Sequence, residues 1–377
     1  MLLKREHLDE LLNSLSKRAR VYLPARRDDT TTSCFALYQQ VGRQAFIDAS
    51  LSLVNTTMPP KDLLFPQTQK MYRYGVDAEG SAWIDPIHDA DAVVVFGLRS
   101  CDMRSIECMD DVFLTKGYDD EFYGARRALL TTVAIGCTEV AETCFCDSMG
   151  LDPNTAPAAD IQLNALTDGS GWLVNAQTER GRAALANWQE YLQQEGEKRE
   201  PSSPLEPAPS LVRSACTLKV NAEGIKEKLD ELYEHPLWDE IAKKCITCGT
   251  CTFVCPTCHC FDISQENRMK EGERFRCWDS CMFSAYTEMA GHHNPRASRA
   301  ARVRQRFMHK LCFFEERYGK SLCVGCGRCV EKCPVALDIT VLIDRIAALS
   351  AASPAALAAS PAPSSAAIEG GVAHGAN

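Results

Sequence analysis

Two cysteine runs near the C-terminal end constrain the fold of this chain more than any other feature. The first has the spacing Cys-x2-Cys-x2-Cys-x3-Cys-Pro and consists of Cys245, Cys248, Cys251, Cys255 and Pro256. The second has the same spacing and consists of Cys323, Cys326, Cys329, Cys333 and Pro334. In this pattern three closely spaced thiolates hold one [4Fe-4S] cube, while the fourth reaches the other cube. The two segments are therefore expected to fold as one unit.

Crossed ligation assigns the eight cysteines to two clusters. Cluster one is predicted to take Cys245, Cys248, Cys251 and Cys333, and cluster two is predicted to take Cys323, Cys326, Cys329 and Cys255. The alternative is a pair of zinc sites, which usually use two spaced thiolate pairs closed tetrahedrally around one ion. A third evenly spaced cysteine and a fourth followed by proline, found twice, disfavour zinc.

The composition of the chain excludes several classes of protein. A chain of 377 residues is expected to fold into about two or three domains. The formal net charge of -9 argues against general affinity for nucleic acid. Without a long apolar run or the apolar core of a signal peptide, the chain is expected in the cytoplasm. Twenty cysteines in that compartment favour metal ligation over disulfides.

Residues 1–194 are predicted to form a mixed α/β domain. Leucines at helical spacing from Leu8 to Leu15 indicate an amphipathic helix, and alternating residues from Cys34 to Ile47 suggest one or two strands. The continuous apolar run Ala92–Leu98 predicts a parallel strand covered on both faces, and Thr131–Ile135 predicts a second one. Two more strands, at 160–166 and 171–174, are joined by turn-forming residues.

Cysteines follow both apolar strands of this domain. Cys101 and Asp102 come after the first strand, and Cys137 comes after the second, with Cys144 and Cys146 in the following loop. Open α/β sheets place ligand sites beyond the carboxyl ends of parallel strands, so these residues are expected to converge. One interpretation is a further iron-sulfur cluster, in which Asp102 could replace one thiolate ligand. The other is that these are free cysteines that pack in the core as small apolar side chains.

The rest of the chain is predicted to contain three segments. Residues 195–223 include four closely spaced prolines and form the expected linker. Residues 224–347 are expected to form a largely helical dicluster domain of the ferredoxin type. Residues 348–377 are rich in alanine, serine, proline and glycine, which predicts a disordered tail.

Several cysteines between the two runs are surplus to two cubes. Cys258, Cys260 and Cys281 are candidates for a further metal or cluster site, with Cys277 or His259 as a fourth ligand. The alternative is tight packing beside the clusters. Spacing alone does not separate these two interpretations.

A basic helix is predicted from Asn294-Pro295, where an N-cap residue precedes proline, to about Phe314. It carries six cationic residues and no acidic residue between positions 296 and 310. The candidates for contact with an acidic partner or a cofactor phosphate are Arg296, Arg302, Arg304 and Arg306. A guanidinium near a thiolate-ligated cluster would instead raise its potential, and a solvated face is the third interpretation.

Several short phrases of the sequence resemble one known family. They are Gly97–Asp102, Thr143–Cys146, Cys255–Cys258, Trp278–Cys281, Ala290–Arg296 and His309-Lys310, together with the second cysteine run. They are similar to phrases in the iron-sulfur beta subunit of cytoplasmic NiFe hydrogenases, also called sulfhydrogenases, and in the A subunit of anaerobic sulfite reductase. The resemblance covers roughly residues 90–347, and Cys277 departs from its pattern.

The resemblance implies an electron-transfer subunit of a multi-subunit oxidoreductase. Its expected partners are a flavin- and NAD(P)-binding subunit and a catalytic subunit, either NiFe hydrogenase or sulfite reductase. The residues agree, because the chain has no glycine-rich phosphate cradle and no nucleophile-base pair. Two alternatives are a self-contained reductase with a catalytic cluster and a zinc-stabilised scaffold or redox sensor.

Overall fold

The computed structural model describes residues 1–26, 32–41, 55–88, 90–193, 211–337 and 339–349. The predicted tail lies outside these ranges except for residues 348–349, and the predicted linker does so up to residue 210. The end of the predicted strand region near Ile47 also lies outside the described residues.

Twelve strands lie in the described ranges. They are β1 (Leu2–Lys4), β2 (Arg20–Arg26), β3 (Ser33–Leu37), β4 (Thr68–Val76), β5 (Ala82–Pro86), β6 (Val93–Leu98), β7 (Leu130–Ile135), β8 (Ile161–Ala165), β9 (Gly171–Ala176), β10 (Leu192–Gln193), β11 (Phe261–Arg268) and β12 (Glu271–Trp278).

The α-helices of the described ranges are α1 (Leu8–Ser16), α2 (Tyr38–Val41), α3 (Ser100–Leu114), α4 (Glu121–Ala128), α5 (Glu179–Ala186), α6 (Ile225–Glu231), α7 (Leu237–Ala242), α8 (Thr250–Phe253), α9 (Arg299–Met308), α10 (Phe314–Tyr318), α11 (Arg328–Glu331) and α12 (Ile339–Ala348). A π-helical segment, His309–Phe313, joins α9 to α10.

The larger sheet has eight strands in the order β10-β1-β9-β8-β7-β6-β2-β3. Its centre is parallel, because β2, β6, β7 and β8 run in the same direction, while antiparallel strands flank them. The two apolar runs of the sequence are the central strands β6 and β7, as predicted. Their carboxyl ends therefore open onto one edge of the sheet.

Both faces of this sheet are buried, which explains the continuous apolar character of β6. Val94 and Phe96 pack on one side with the leucines of α1, and Val95 and Leu98 pack on the other side with α3. The prediction of a strand covered on both faces is confirmed.

A second sheet joins the two halves of the chain. It has four antiparallel strands in the order β11-β12-β4-β5. The hairpin β11–β12 belongs to the segment between the cysteine runs, and β12 pairs with β4 along its length. The expectation of a largely helical C-terminal domain is not confirmed, because this hairpin supplies sixteen residues of strand.

Two predicted helices differ from the structure at their ends. The helix expected from Gly224 into the first run is two short helices, α6 and α7. The basic helix begins at Arg299 because the Ser298 hydroxyl caps it by accepting from the backbone N–H of Ala301 at 3.0 Å. The Asn294 side chain instead accepts from the N–H of Arg296 at 2.9 Å and forms a turn.

The helices of the described ranges are too short or too polar to cross a lipid bilayer. The twenty cysteines all lie within those ranges, and none forms a disulfide.

A buried ion pair anchors the second sheet to the first domain. Arg276 on β12 is only 2 % exposed, and it donates to both carboxylate oxygens of Asp120 and to Gln69. Removing one partner of a buried pair leaves an uncompensated charge in the interior.

We therefore expect Asp120→Ala to lower the free energy of unfolding by about 3 kcal/mol, the low end of the range for buried pairs, because Asp120 is partly exposed. Urea denaturation checks this prediction. Asp85→Ala on the exposed part of β5 is the matched control and should cost less than about 0.5 kcal/mol. Equal losses in the two variants would contradict the anchoring role of the pair.

Candidate iron-sulfur centres

The four cysteines predicted for cluster one line a single cavity. Cys245, Cys248, Cys251 and Cys333 surround it, although Cys333 comes from the second run. Apolar residues of α9 and the loop before it complete the wall, namely Met282, Val303 and Phe307. Cys248 is exposed, so this cavity reaches the protein surface.

The two runs adopt the same local structure. In each, a glycine with positive φ follows the middle cysteine, Gly249 at 76° and Gly327 at 73°, and a short helix follows the glycine. A Cβ on Gly249 would lie 2.7 Å from the Phe283 ring. The repeated turn therefore requires glycine for its conformation and also for space, because a Cβ on Gly327 would clash with Thr143.

The cysteines predicted for cluster two also come together. Cys323, Cys326 and Cys329 each lie close enough to Cys255 for its charge to act on them. Thr257 fixes this arrangement by lying 3.3 Å from the Cys255 sulfur and donating to the carbonyl of Leu322 at 2.8 Å. The fourth cysteine of each run thus lies beside the first three of the other.

Burial opposes ionisation of several of these thiols. It raises the pKa of Cys323 to about 11, and it also raises the pKa of Cys251 and Cys329. Cys255 differs, because a hydrogen bond from Cys258 and the charge of Lys310 lower the pKa of its thiol. Since iron-sulfur ligands are thiolates, assembly at these sites must release protons.

Four buried cations surround the two cysteine sets. Lys61, Arg306, Lys310 and Arg328 are each at most 5 % exposed. Lys61 donates to the carbonyls of Thr252 and Cys258, and its ammonium lies 4.1 Å from the centre of the Trp278 ring. Lys310 donates to the Thr257 hydroxyl at 3.0 Å. Within the described residues, only Arg328 has a carboxylate partner, Asp102, at 2.8 Å.

The unpaired cations provide a test of whether these sites suit an anionic cluster. Arg306 lines the cluster-one cavity, and its Nε has no hydrogen-bond partner among the described residues. Burial disfavours its charge, but the thiolates of Cys251 and Cys329 outweigh burial and raise the pKa of Arg306. A buried cation without a counter-charge is destabilising. The residues therefore fit [4Fe-4S] clusters, whose thiolate ligands would supply the negative charge.

The described cysteines do not form a site with the geometry of a zinc ion. Within the described part of the chain, no three side chains among His, Cys, Asp and Glu lie close enough together to hold one metal ion. A zinc ion needs its sulfurs about 2.3 Å from one point. Each thiolate of a four-iron cube binds a different iron, so a cube does not require its sulfurs to converge on one point.

The cysteines after the strands of the first domain also converge. Cys101 lies in the first turn of α3, Cys137 follows β7, and Cys144 and Cys146 lie in the next loop, all less than 10 % exposed. Asp102 is committed elsewhere, because one oxygen binds Arg328 and the other accepts from the N–H of Arg99. Cys216, which sequence reasoning missed, lies 3.5 Å from Cys146 between sulfurs.

The surplus cysteines between the runs form two pairs. Cys258 donates a hydrogen bond to Cys255, and Cys260 lies against Cys281. That second contact lowers the pKa of Cys260 to about 6. The first pair adjoins the proposed second cluster, because it includes the ligand Cys255. The second pair adjoins the proposed first cluster, because the charge of Cys251 raises the pKa of Cys281. Cys277 lies apart from them on β12 beside Asp262 and Asp279.

His259 packs against other side chains instead. Its ring forms an edge-to-face pair with His309 at 5.3 Å, and Nδ1 lies 3.0 Å from the Thr257 carbonyl. Burial lowers the pKa of His259 to about 4, so the ring is neutral at pH 7.

The arginines of the basic helix have different surroundings. Arg302 is buried and donates to the carbonyls of Met282, Arg296 and Ala297, and Arg306 is buried beside cluster thiols. Because both side chains are buried, Arg302 and Arg306 do not face a partner chain or a cofactor phosphate. Arg304 lies over the Tyr233 ring at 4.0 Å and forms an ion pair with the exposed Glu234. Arg304 and the half-buried Arg296 are closer to the surface, and their contact with a partner stays a prediction.

The fold and these sites define an iron-sulfur protein of the two-cluster type, and comparison with known proteins agrees. Residues 244–337 match the model of a 4Fe-4S dicluster domain. The chain is 31% identical over 345 residues to sulfhydrogenase 2 subunit beta of Pyrococcus furiosus, a match that spans 91% of this chain and 97% of that protein. This chain therefore belongs to the sulfhydrogenase beta-subunit family. No solved structure matches it significantly.

The positions of Arg306 and Lys310 predict different effects on cluster potentials. The ligand thiols whose charge affects Arg306 most come from both sets, Cys251 from the first and Cys329 from the second. The ligand thiols whose charge affects Lys310 most, Cys255 and Cys323, both belong to the second set. Removing one nearby positive charge costs the reduced cluster about 1–3 kcal/mol, which is roughly 40–130 mV for a one-electron couple.

We expect Arg306→Gln to lower both midpoint potentials and Lys310→Gln to lower only one. Redox titration followed by electron paramagnetic resonance measures these shifts. Arg304→Gln is the control at the surface of the same helix and should leave both potentials within about 20 mV of wild type. Unchanged potentials in Arg306→Gln would contradict its placement beside the clusters.

Proposed function

We propose that this chain is the electron-carrying subunit of a hydrogenase complex of the sulfhydrogenase type. The observation that carries the proposal is the interleaving of the two cysteine runs, which brings four thiols of mixed origin to each of two adjacent sites. The proposed ligands are Cys245, Cys248, Cys251 and Cys333 for one cluster, and Cys255, Cys323, Cys326 and Cys329 for the other.

Neighbouring clusters suit electron transfer better than catalysis at an open metal site. Each proposed site has four thiols for its four iron corners, so no corner is left for a substrate. The charge of Cys255 also acts on Cys251, which places the two sets side by side. Exposed Cys248 and Ile246, which is 57% exposed, bring the first set to the surface, where a partner can exchange electrons with it.

The proposed partners are a flavin- and NAD(P)-binding subunit and NiFe hydrogenase subunits. The relative's name, sulfhydrogenase 2 subunit beta, supports a multi-subunit complex and favours hydrogenase over anaerobic sulfite reductase as the catalytic partner. The sequence also lacks a Rossmann or P-loop glycine motif, so nucleotide and flavin are assigned to another chain. Twenty cysteines, none of which forms a disulfide, suit a cytoplasmic complex, where metal ligation is favoured over disulfides.

Loss of one cluster ligand should interrupt this electron path. We expect Cys326→Ala to reduce NAD(P)H-driven hydrogen production by the purified complex at least about 100-fold, because a missing centre removes one step of the relay. Hydrogen production from a chemical electron donor that acts directly on the catalytic subunit should be retained.

Cys277→Ala is the matched control for this experiment, because Cys277 lies on β12 away from both sets. It should leave NAD(P)H-driven turnover within about twofold of wild type. Full turnover in Cys326→Ala would disprove the conduit. Zinc in place of iron and sulfide in the purified chain would instead support a scaffold.

A further inference from the structure

The mouth of the cluster-one cavity combines exposed apolar side chains with exposed cations. Ile246 is 57% exposed, and Cys248 and Pro334, which also line the cavity, are exposed. Lys243 and Lys244 are exposed as well, and they directly precede the first cysteine of that set. An apolar centre with a polar rim is the usual anatomy of a contact between two proteins.

A third exposed cation is tied to the same mouth. Arg299, the first residue of α9, donates through Nη1 to the carbonyl of Cys245 at 2.9 Å. A carbonyl satisfies one of the five donors of a guanidinium and does not neutralise its charge. Within the described residues, neither Arg299 nor Lys243 nor Lys244 forms an ion pair.

The chain segments around this mouth carry no carboxylate. Residues 241–260, which include the first cysteine run, and residues 289–314, which include α9, have neither aspartate nor glutamate, although the whole chain has a formal net charge of -9. Two acidic residues close by in the sequence have partners of their own. Glu240 pairs with Arg345 at 2.8 Å, and Glu331 pairs with Lys332 at 2.7 Å. The mouth is therefore a local positive surface on an acidic protein.

Most other cations of the basic helix face elsewhere. Arg302, Arg306 and Lys310 are buried, and Arg304 pairs with Glu234. The positive charge at the mouth therefore comes mainly from the residues before the first cysteine run and from the start of α9.

The mouth is also where a proposed cluster comes closest to solvent. Of the eight proposed ligands, only Cys248 is exposed, while Cys255 and Cys326 of the second set are 7 and 8 % exposed. A protein that exchanges electrons with this chain from outside would therefore approach the first set. Complementary charge around such a contact raises the rate of encounter and fixes the orientation of the two proteins.

We propose that Lys243, Lys244 and Arg299, arranged around Ile246 and Cys248, form the docking surface for a partner subunit that presents carboxylates around its own redox centre. The inference rests on the proposed function and adds the place of contact and the charge of the partner. One electron leaves the partner's centre as the first cluster gains it, or passes in the reverse direction, and no covalent bond forms or breaks.

Carbodiimide cross-linking of the purified complex tests the contact directly, because this reagent joins a lysine amine to a carboxylate that lies against it. We expect mass spectrometry to find Lys243 or Lys244 joined to an aspartate or glutamate of a partner subunit. Cross-links from these lysines only to a second copy of this chain, or none from either lysine, would overturn the docking surface.

Charge reversal tests the same surface through the rate. We expect the double variant Lys243→Glu and Lys244→Glu to lower NAD(P)H-driven hydrogen production at least about tenfold at low ionic strength, because like charges then face the partner. Wild-type turnover should fall as salt is added, and the reversal variant should lose that dependence. The matched control is Lys17→Glu with Arg18→Glu, two exposed cations that follow α1 as the two lysines follow α7.

The control should stay within about twofold of wild type, and both double variants should keep their iron. Equal turnover in the reversal variant and its control would overturn the proposal. If the reversal variant lost iron, Lys243→Gln with Lys244→Gln is the second variant, and loss of the salt dependence is then the deciding result. The proposed function fails separately, since full turnover in Cys326→Ala would disprove the conduit whatever happens at the two lysines.

Discussion

The C-terminal half of this protein depends on the attraction between buried cations and thiolate-ligated iron. Lys61, Arg306 and Lys310 have no carboxylate partner among the described residues, although each is almost fully buried. Such charges destabilise a fold unless an anion compensates them. Two anionic clusters would provide that compensation, so we expect metal binding and folding of this half to be coupled.

The two sheets explain how distant parts of the chain reach one site. The parallel strands β6 and β7 carry Cys101 and Cys137 to one edge of the large sheet. The hairpin β11–β12 pairs with β4, which fixes the segment between the cysteine runs against the first domain. The cysteine sets consequently adjoin one another, with Cys251 near Cys255 and Cys144 near the carbonyl of Cys326.

The features that the sequence predicted are those with a strong local signal. The cysteine runs have a fixed spacing, and β6 and β7 are continuous apolar runs, so both follow from a few neighbouring residues. The helical spacing of the basic segment also placed Arg302 and Arg306 on one face. That face is buried in the structure, and the only hint in the sequence was the lack of acidic residues nearby.

The features that were missed depend on contacts between distant segments. The hairpin β11–β12 lacks the apolar-polar alternation that predicts strands, because most of β11 is exposed and β12 buries the charged Arg276. Cys216 is a single cysteine within the region expected to be a linker, and Lys61 follows two prolines. Nothing in their local sequence indicates that the chain brings both into the interior beside other cysteines.

Crossed ligation is the central claim, and the effects of single serine substitutions on the electron paramagnetic resonance spectrum of the reduced protein test it most directly. Cys248→Ser and Cys333→Ser should alter the same cluster signal, and Cys326→Ser and Cys255→Ser should alter the other. If Cys248→Ser and Cys255→Ser instead altered one signal together, each run would hold its own cluster, and crossed ligation would be wrong.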